Sequence, residues 1–220
     1  MSGPNGNGSG AMASGDLSDA IQDYLKEIYK LEEAGEKATT TAIAKGVGVA
    51  PSSTTAMLKK LAVLGLVEHT RYRGVVLTDS GEQVALEVIR HHRLLEAYLS
   101  EKLGMPWDRV HDEAEVLEHY ISEELEERIA AALGHPDRDP HGDPIPDSAL
   151  SGEGAVEGTA LCDLEPGQAG TFVRVSDGVP EMLRYLSDRS ILPGVGVRVK
   201  NREPFRGPVT VEVDGAEHAI

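Results

Sequence analysis

The stretch between residues 39 and 78 constrains the fold most, because two short helical patterns and a hairpin pattern follow one another there. Thr39 or Thr40 can cap a first helix that ends at Lys45, and the glycines that come next permit a tight turn. A second helix is predicted over residues 51–64, with proline in its first turn, where proline is well tolerated. The sequence therefore predicts two helices joined by a short turn.

A hairpin is predicted after these two helices and a further helix before them. Gly65 ends the helix over residues 51–64, and residues 67–70 and 74–78 are β-rich segments that predict a hairpin. An amphipathic helix over residues 16–33 precedes them, with apolar side chains at a period of 3.6. Helix, helix, turn, helix and hairpin form the winged helix-turn-helix pattern, whose second paired helix enters the major groove.

Charge supports a DNA-facing role for this segment. The whole chain carries a net charge of −16, but residues 37–78 contain six basic residues and one acidic residue. Short hydroxyls and lysines on the recognition helix suit phosphate and modest base contacts, and arginines on the wing suit phosphates or the minor groove. The candidate DNA contacts are Ser52, Ser53, Thr54, Thr55, Lys59, Lys60, Arg71 and Arg73. A winged helix used only for protein contacts is the alternative.

Composition excludes several other classes of protein. No apolar run approaches the roughly 20 residues of a membrane span. Residues 1–15 are uncharged and lack the pattern of a signal peptide, so we expect a disordered tail or tag remnant. Cys162 is the one cysteine of the chain, which excludes an internal disulfide and a thiol-cluster metal site and fits a reducing cytoplasm.

Histidine and glutamate recur at helical spacing further along the chain. On a helix predicted over residues 107–133, four such residues fall on one stripe: His111, Glu115, Glu118 and His119. His92 and Glu96 repeat the i, i+4 spacing on a preceding helix, predicted over residues 80–103. Mixed nitrogen and oxygen donors suit a divalent first-row metal ion.

A solvated helix face with i, i+4 side-chain pairs is the alternative interpretation of this stripe. Apolar residues such as Val110 and Ile121 border the stripe, which places it at the edge of a buried face, where a cation would neutralise the carboxylates. The apolar faces of the two long helices also exceed what a small winged domain can cover. We therefore expect a homodimer.

The last third of the chain differs from the rest in composition and in hydrophobic pattern. Residues 134–158 are rich in proline and glycine and predict a linker with an ordered first part. Short alternating segments over residues 170–175, 195–200 and 209–213, with a helix over residues 180–188, predict a small β-barrel. A further strand and helix are expected beyond Ile220.

With these residues in view, the chain resembles the diphtheria toxin repressor family of metal-dependent transcriptional regulators, within it the manganese transport regulators. The most specific stretches are Y-L-K-E-I-Y-K-L-E-E, R-H-H-R-L-L-E, V-H-D-E-A-E-V-L-E-H and D-P-H-G-D-P-I-P. The resemblance implies a mostly α fold with small β content: a winged helix-turn-helix domain over residues 16–78, a helical dimerisation and metal-binding domain over 79–147, a linker over 148–158 and an SH3-like, FeoA-like domain over 159–220.

The resemblance also implies two metal sites. The primary site maps onto Asp23, His92, Glu115, Glu118 and His119. Iron-responsive members have methionine and cysteine where this chain has Asp23 and Glu115, so oxygen ligands here favour manganese. The ancillary site maps onto Glu96, Asp139 and His141, with Asp177 as the candidate carboxylate from the C-terminal domain and His111 as a further candidate.

The function implied is a manganese-dependent repressor that binds palindromic double-stranded DNA operators as a metal-loaded homodimer and controls metal-uptake genes. Fe²⁺ is a further candidate effector, and Zn²⁺, Co²⁺ or Cd²⁺ are expected to bind in vitro. We expect no membrane partner, no small organic substrate and no enzymatic activity. The alternatives are an iron-dependent regulator of the same family, a sensor of an organic ligand, and a metal-dependent hydrolase, although no H-E-x-x-H or G-x-S-x-G motif is present.

Overall fold

A computed structural model of the chain describes residues 17–70, 74–150, 158–205 and 207–220. These residues form two compact units. The first extends to Arg90 and includes residues 148–150, and the second contains the other described residues from His91 onward. Helices dominate and the strands are few, so the predicted mostly α class with small β content is confirmed.

The first unit contains the elements of a winged helix-turn-helix, which confirms that prediction. They are α1 (Asp19–Glu33), α2 (Thr40–Gly46), α3 (Pro51–Val63), β1 (Val67–Thr70) and β2 (Gly74–Leu77). Thr39 caps α2, because its side chain accepts a hydrogen bond from the backbone N–H of Ala42 at 3.1 Å. Leu25 and Ile28 of α1 share one buried core with apolar residues of α2, α3 and the hairpin.

One glycine of the hairpin is fixed by a close backbone approach. Gly74 has a φ of +90°, and a Cβ there would lie 2.6 Å from the carbonyl oxygen of Ala38. The next residue, Val75, donates its N–H to the same oxygen at 3.1 Å. Strand β2 is thereby held against Ala38, two residues before α2. Arg71 and Arg73 lie outside the described residues.

Helix α4 (Asp79–Glu101) is continuous over 23 residues. Its first turn is capped by Thr78, whose hydroxyl accepts a hydrogen bond from the N–H of Gly81 at 3.1 Å. Val84 and Ala85 belong to the core of the first unit. Within the described part of the chain, no helix combines the length and the apolar character needed to cross a membrane.

The prediction of one helix over residues 107–133 is wrong. The structure has two helices there, α5 (Val110–Leu117) and α6 (Glu123–Leu133). Ser122 explains the break, since its backbone is extended and its side chain accepts a hydrogen bond from the N–H of Leu125 at 3.3 Å, which starts a new helix. Both helices and the second half of α4 pack around a core that includes Leu94, Ala114 and Ile129.

The C-terminal part of the second unit is a four-stranded antiparallel sheet. Its strands β3 (Ala169–Thr171), β4 (Gly196–Arg202), β5 (Val209–Val213) and β6 (Ala216–Ala219) are neighbours in sequence order. Helix α7 (Pro180–Ser187) contributes Leu183 and Leu186 to the core beside the sheet, and Trp107 joins that core. The alternation pattern does not predict β6, although the Asp214-Gly215 pair between β5 and β6 is a strong hairpin signal.

Candidate metal centre

Three elements of the second unit bring the histidines and glutamates together. Helix α4 carries His92 and Glu96 one turn apart, and both are buried. Helix α5 carries His111 and Glu115 with the same spacing. Glu118 and His119 follow in the turn after α5, so the four residues predicted on one helical stripe are divided between a helix and a turn.

His92 lies at the centre of the arrangement. Its Nδ1 is 2.5 Å from Glu118 Oε2 and 3.8 Å from Glu115 Oε1. Its Nε2 is 3.1 Å from Glu96 Oε1 and also 3.1 Å from His111 Nδ1. The ring therefore connects two groups of ligands, one on each side.

The first group consists of His92, Glu115 and Glu118, whose ligand atoms lie within 4.8 Å of one another. His119 is adjacent, with its Nε2 3.7 Å from Glu118 Oε1. Asp23, the remaining residue of the predicted primary site, lies on α1 in the first unit and is partly buried.

The second group lies on the other side of His92. It contains His92, Glu96, His111 and Asp177, again with ligand atoms within 4.8 Å of one another. Asp177 Oδ2 is 3.1 Å from His111 Nδ1, and the same nitrogen is 3.3 Å from Glu96 Oε1. The structure thus brings both His111 and Asp177 to Glu96.

Glu96 also faces a third set of donors with Asp139 and His141, and all three side chains are buried. The backbone carbonyl of Trp107 accepts a hydrogen bond from His141 Nε2 at 2.8 Å, which leaves Nδ1 turned toward Glu96. His141 Nδ1 and Glu96 Oε2 are 3.5 Å apart, and within the described structure neither atom makes a hydrogen bond. Buried polar atoms without a hydrogen bond are rare, and a cation bound to both would satisfy them, so these residues fit a metal ion.

The electrostatics of the cluster favour charged imidazoles while no cation is bound. Hydrogen bonds to Asp177 and Glu96 raise the pKa of His111 to about 10. Burial disfavours the imidazolium of His92, but hydrogen bonds to Glu118 and Glu96 outweigh it and raise the pKa of that ring. Burial likewise opposes ionisation of Glu96, yet the neighbouring imidazoles hold its pKa well below its ordinary value. Protons therefore occupy positions that a divalent cation would take.

In the segment Asp139–Asp143, the pKa values of Asp139 and His141 are also raised. Burial first, and then the charges of Glu96 and Asp143, raise the pKa of Asp139. Burial lowers the pKa of His141, but its contact with Glu96 reverses this and leaves the pKa above its ordinary value. Asp139 Oδ1 accepts hydrogen bonds from the N–H groups of His141 and Asp143, at 2.8 and 2.9 Å, so the carboxylate organises the turn that presents His141.

Sequence reasoning missed three residues that support the cluster. His91 is buried, with its Nδ1 3.1 Å from the carbonyl oxygen of Glu118 and its Nε2 3.0 Å from Glu126 Oε2. Asp143 and the carbonyl of Trp107 support the 139–143 turn. The pairs His91-His92 and Asp139…Asp143 are visible in the sequence, whereas nothing in it indicates a role for a backbone carbonyl.

The recognition helix presents most of the predicted DNA contacts to solvent. Ser52, Ser53, Thr55, Lys59 and Lys60 on α3 are exposed. Thr54 is fully buried, and its hydroxyl accepts a hydrogen bond from the Tyr24 hydroxyl at 3.3 Å. The prediction that Thr54 contacts DNA is therefore wrong, because this side chain points into the core.

A winged helix-turn-helix together with a buried cluster of nitrogen and oxygen donors defines a DNA-binding protein that responds to a metal ion. Comparison with known protein families gives the same class for three segments of the chain. Residues 16–75 match the iron dependent repressor N-terminal DNA-binding domain. Residues 78–147 match the iron dependent repressor metal-binding and dimerisation domain, and residues 159–220 match the FeoA domain.

Individual relatives are similar over most of their length. The iron-dependent repressor IdeR of Mycobacterium tuberculosis is 31% identical over 92% of each chain. The diphtheria toxin repressor of Corynebacterium glutamicum is 35% identical over 93% of this chain and 96% of its own. A solved manganese-dependent transcriptional repressor in complex with manganese is 43% identical over 91% of this chain and 92% of its own, with a TM-score of 0.80. The chain belongs to the diphtheria toxin repressor family, in the branch of the manganese transport regulators, and is a metal-dependent transcriptional repressor.

Proposed function

We propose that Mn²⁺ is the activating ion and that the metal-loaded protein binds palindromic operators as a homodimer to repress metal-uptake genes. The donor chemistry of the cluster carries the proposal. Its ligand atoms are carboxylate oxygens and imidazole nitrogens, and the one cysteine, Cys162, is exposed and lies outside it. A set without thiolate or thioether ligands suits Mn²⁺ better than softer ions.

The first group would hold one ion through His92, Glu115, Glu118 and His119, with Asp23 as the ligand contributed by α1. Asp23 rests on the family resemblance, in which the corresponding residue is a ligand. The second group and the third set, which share Glu96, would together hold another ion through Glu96, His111, Asp139, His141 and Asp177; this joint site is called the second group from here on. The buried Oε2 of Glu96 and Nδ1 of His141, which face each other at 3.5 Å without a hydrogen bond, support that second position.

A bound cation would be coordinated by carboxylate oxygens and neutral imidazole nitrogens at the same time. Asp23 belongs to the winged helix-turn-helix, while the other ligands of the first group belong to the second unit. Joint ligation would restrict the motion of the reading domain and select one spacing of the two recognition helices in the dimer. A coupling free energy of about 1–3 kcal/mol between metal and DNA binding is typical of such systems.

The DNA-binding surface is proposed to be the exposed face of α3, through Ser52, Ser53, Thr55, Lys59 and Lys60. Arg71 and Arg73, which the sequence predicts in the wing, are proposed as further contacts. No arginine on α3 is placed to grip guanine with two hydrogen bonds, so groove shape contributes to specificity. We also propose that the domains of the chain end at residues 78 and 147, with a linker up to residue 158. The proposed location is the cytoplasm. We propose no catalysed reaction.

Iron is the second candidate effector, because IdeR, an iron-dependent repressor, is similar over 92% of the chain. A mobility-shift titration decides between the ions. DNA selected from a random library by the metal-loaded protein is bound in the presence of Mn²⁺, Fe²⁺, Zn²⁺ or excess chelator, and Asp23→Ala serves as the control. The proposal expects tight binding with Mn²⁺, weak binding with chelator and a weakened Mn²⁺ response in Asp23→Ala. Equal DNA affinity in chelator and in Mn²⁺ contradicts it.

A further inference from the structure

A close backbone approach occurs beside the second group of ligands. Gly142 has a φ of +92°, and a Cβ built on it would lie 2.0 Å from the carbonyl oxygen of Val173 and 3.0 Å from the Cα of Arg174. Both neighbours are backbone atoms, which cannot rotate away as a side-chain end can. No residue with a side chain fits at position 142 without moving the segment that contains residue 173.

That segment, residues 172–177, makes two contacts with the 139–143 turn and one with helix α5. The N–H of Val175 donates to the carbonyl oxygen of His141 at 3.0 Å. Arg174 Nε is 2.7 Å from Asp143 Oδ1, and Asp177 Oδ2 is 3.1 Å from His111 Nδ1. The segment joins β3 to α7, so these contacts connect the C-terminal sheet to the ligand cluster.

The segment is also fixed at its first residue. The N–H of Phe172 donates to the carbonyl oxygen of Val195 at 2.8 Å, and the N–H of Gly194 donates to the carbonyl oxygen of Phe172 at 2.7 Å. With this end held by the sheet, the distance between the 142 and 173 backbones decides where the rest of the segment lies. Asp177, four residues beyond Val173, depends on that distance to reach His111.

We propose that Gly142 is a positioning residue of the second group: because it has no side chain, residues 172–177 can lie on the 139–143 turn, and this brings Asp177 to His111. The inference rests on the proposed function, since it assumes that the second group binds an ion. Gly142 contacts no ion itself. Its role is to admit the segment that supplies a ligand.

The backbone conformation alone is a competing explanation for glycine at position 142, because a residue with a side chain is strained at positive φ. Gly167 separates the two explanations. Its φ is +94°, nearly that of Gly142, but a Cβ there would meet no atom within 4 Å. Gly142→Ala and Gly167→Ala therefore carry similar backbone strain, and only the first produces the collision with Val173.

The test measures binding of Mn²⁺ to the full chain by calorimetry, with the bound stoichiometry counted by electron paramagnetic resonance. The variants are Gly142→Ala, Gly167→Ala, Asp177→Asn and the Gly142→Ala/Asp177→Asn double variant. We expect Gly142→Ala to weaken the second ion by about tenfold to a hundredfold, as loss of a supporting contact does, and to leave the first ion unchanged. Asp177→Asn should match it, and the double variant should be no weaker than the weaker single variant.

Second-ion binding by Gly142→Ala equal to that of Gly167→Ala overturns the inference, and so do fully additive losses in the double variant. Absence of any Mn²⁺ binding by the unsubstituted chain would instead defeat the proposed function, and the inference with it. Hydrogen exchange of the unsubstituted protein provides a test that does not depend on the folding of a variant. Exchange over residues 172–177 should slow when the second ion binds, and unchanged exchange with two ions bound also overturns the inference.

Discussion

At the scale of single residues, Glu96 is the side chain on which the second group depends. Its Oε1 contacts His92 and His111, and its Oε2 faces His141 Nδ1. The residue is completely buried, so its charge needs a compensating positive charge. Among the described contacts these imidazoles provide it, and a bound cation would do the same. One carboxylate therefore links three imidazoles from three different elements.

Replacing Glu96 with glutamine keeps the shape and removes the charge. We expect Glu96→Gln to weaken binding of the second Mn²⁺ by about a hundredfold, since a neutral amide is a poor ligand for a hard cation. Glu101→Gln is the matched control, because Glu101 lies exposed at the end of the same helix. Calorimetric titration of both variants checks this, and equal second-ion affinity would argue against a ligand role for Glu96.

Thr54 gives a prediction about the reading domain, where its hydroxyl pairs with that of Tyr24 in the core. We expect Thr54→Val to lower the free energy of unfolding by about 1–3 kcal/mol, because it leaves the buried Tyr24 hydroxyl without this partner. Adding Tyr24→Phe should cost less than the sum of the two single changes. Urea unfolding of both single variants and the double variant measures this coupling, and strict additivity would mean that the two hydroxyls do not interact.

Ser53 is the matched exposed neighbour in the same helix. Ser53→Ala should weaken DNA binding while leaving the unfolding free energy within about 0.5 kcal/mol of that of the unsubstituted chain. Thr54→Val, at a temperature where it is folded, should leave DNA affinity nearly unchanged. The opposite assignment of the two effects would restore Thr54 as a DNA contact.

At the scale of elements, the C-terminal end of α5 places Glu118 beside α4. Glu118 follows the last residue of α5, and its backbone carbonyl contacts His91 while its carboxylate contacts His92. Glu118 keeps helical dihedrals, with φ −57° and ψ −28°, and its N–H donates to the carbonyl oxygen of Ala114 at 2.9 Å. It therefore continues the stripe of α5 and is buried, while Glu115, about one helical turn earlier, is partly exposed.

Ser122 ends the turn between α5 and α6, and its replacement tests the capping. Ser122→Ala should lower the free energy of unfolding by about 1 kcal/mol, because the N–H of Leu125 loses its acceptor. The accompanying loss of first-ion affinity should be small, since no ligand is removed. Chemical unfolding of the metal-free protein measures the effect. A stability equal to that of the unsubstituted chain would show that water replaces the serine hydroxyl at no cost.

The elements of the first unit could be predicted closely from the sequence, because their signals are local. Thr39, Pro51 and Gly65 set the bounds of α2 and α3 within a residue or two. The α5–α6 break was missed because it contains no proline or glycine, and one serine before an acidic turn is a weak signal. The candidate ligands between residues 92 and 119 could be predicted from helical spacing, whereas Asp139, His141 and Asp177 followed only from the family resemblance. The division of the cluster into groups around His92 depends on how α4, α5 and residues 172–177 pack.

At the scale of the whole molecule, the protons held by the cluster make stability depend on pH. The pKa of His111 is raised from 6.5 to about 10, and those of Asp139 and His141 are also raised. Between pH 6.5 and 9 the folded metal-free chain therefore binds more protons at these groups than the unfolded chain does. Their contribution to stability is present at low pH and is lost as pH rises through the folded pKa values.

We expect the melting temperature of the chelator-treated protein to fall between pH 6.5 and pH 9. His111→Gln should show a shallower fall, because it removes the group with the pKa of about 10. Stabilisation by Mn²⁺ should increase over the same range, since the ligands must lose their protons to bind it. Calorimetric scans at several pH values provide the measurement, and identical pH slopes for both proteins would show that His111 does not hold the extra proton.

We propose that buried carboxylates and imidazoles of this chain hold Mn²⁺ at two positions, one on each side of His92. Anomalous diffraction at the manganese edge, from crystals of the Mn²⁺-loaded protein, locates both ions. We expect one peak among His92, Glu115, Glu118 and His119 and a second among Glu96, His111, His141 and Asp177. A well-ordered cluster without anomalous density at either position would contradict it.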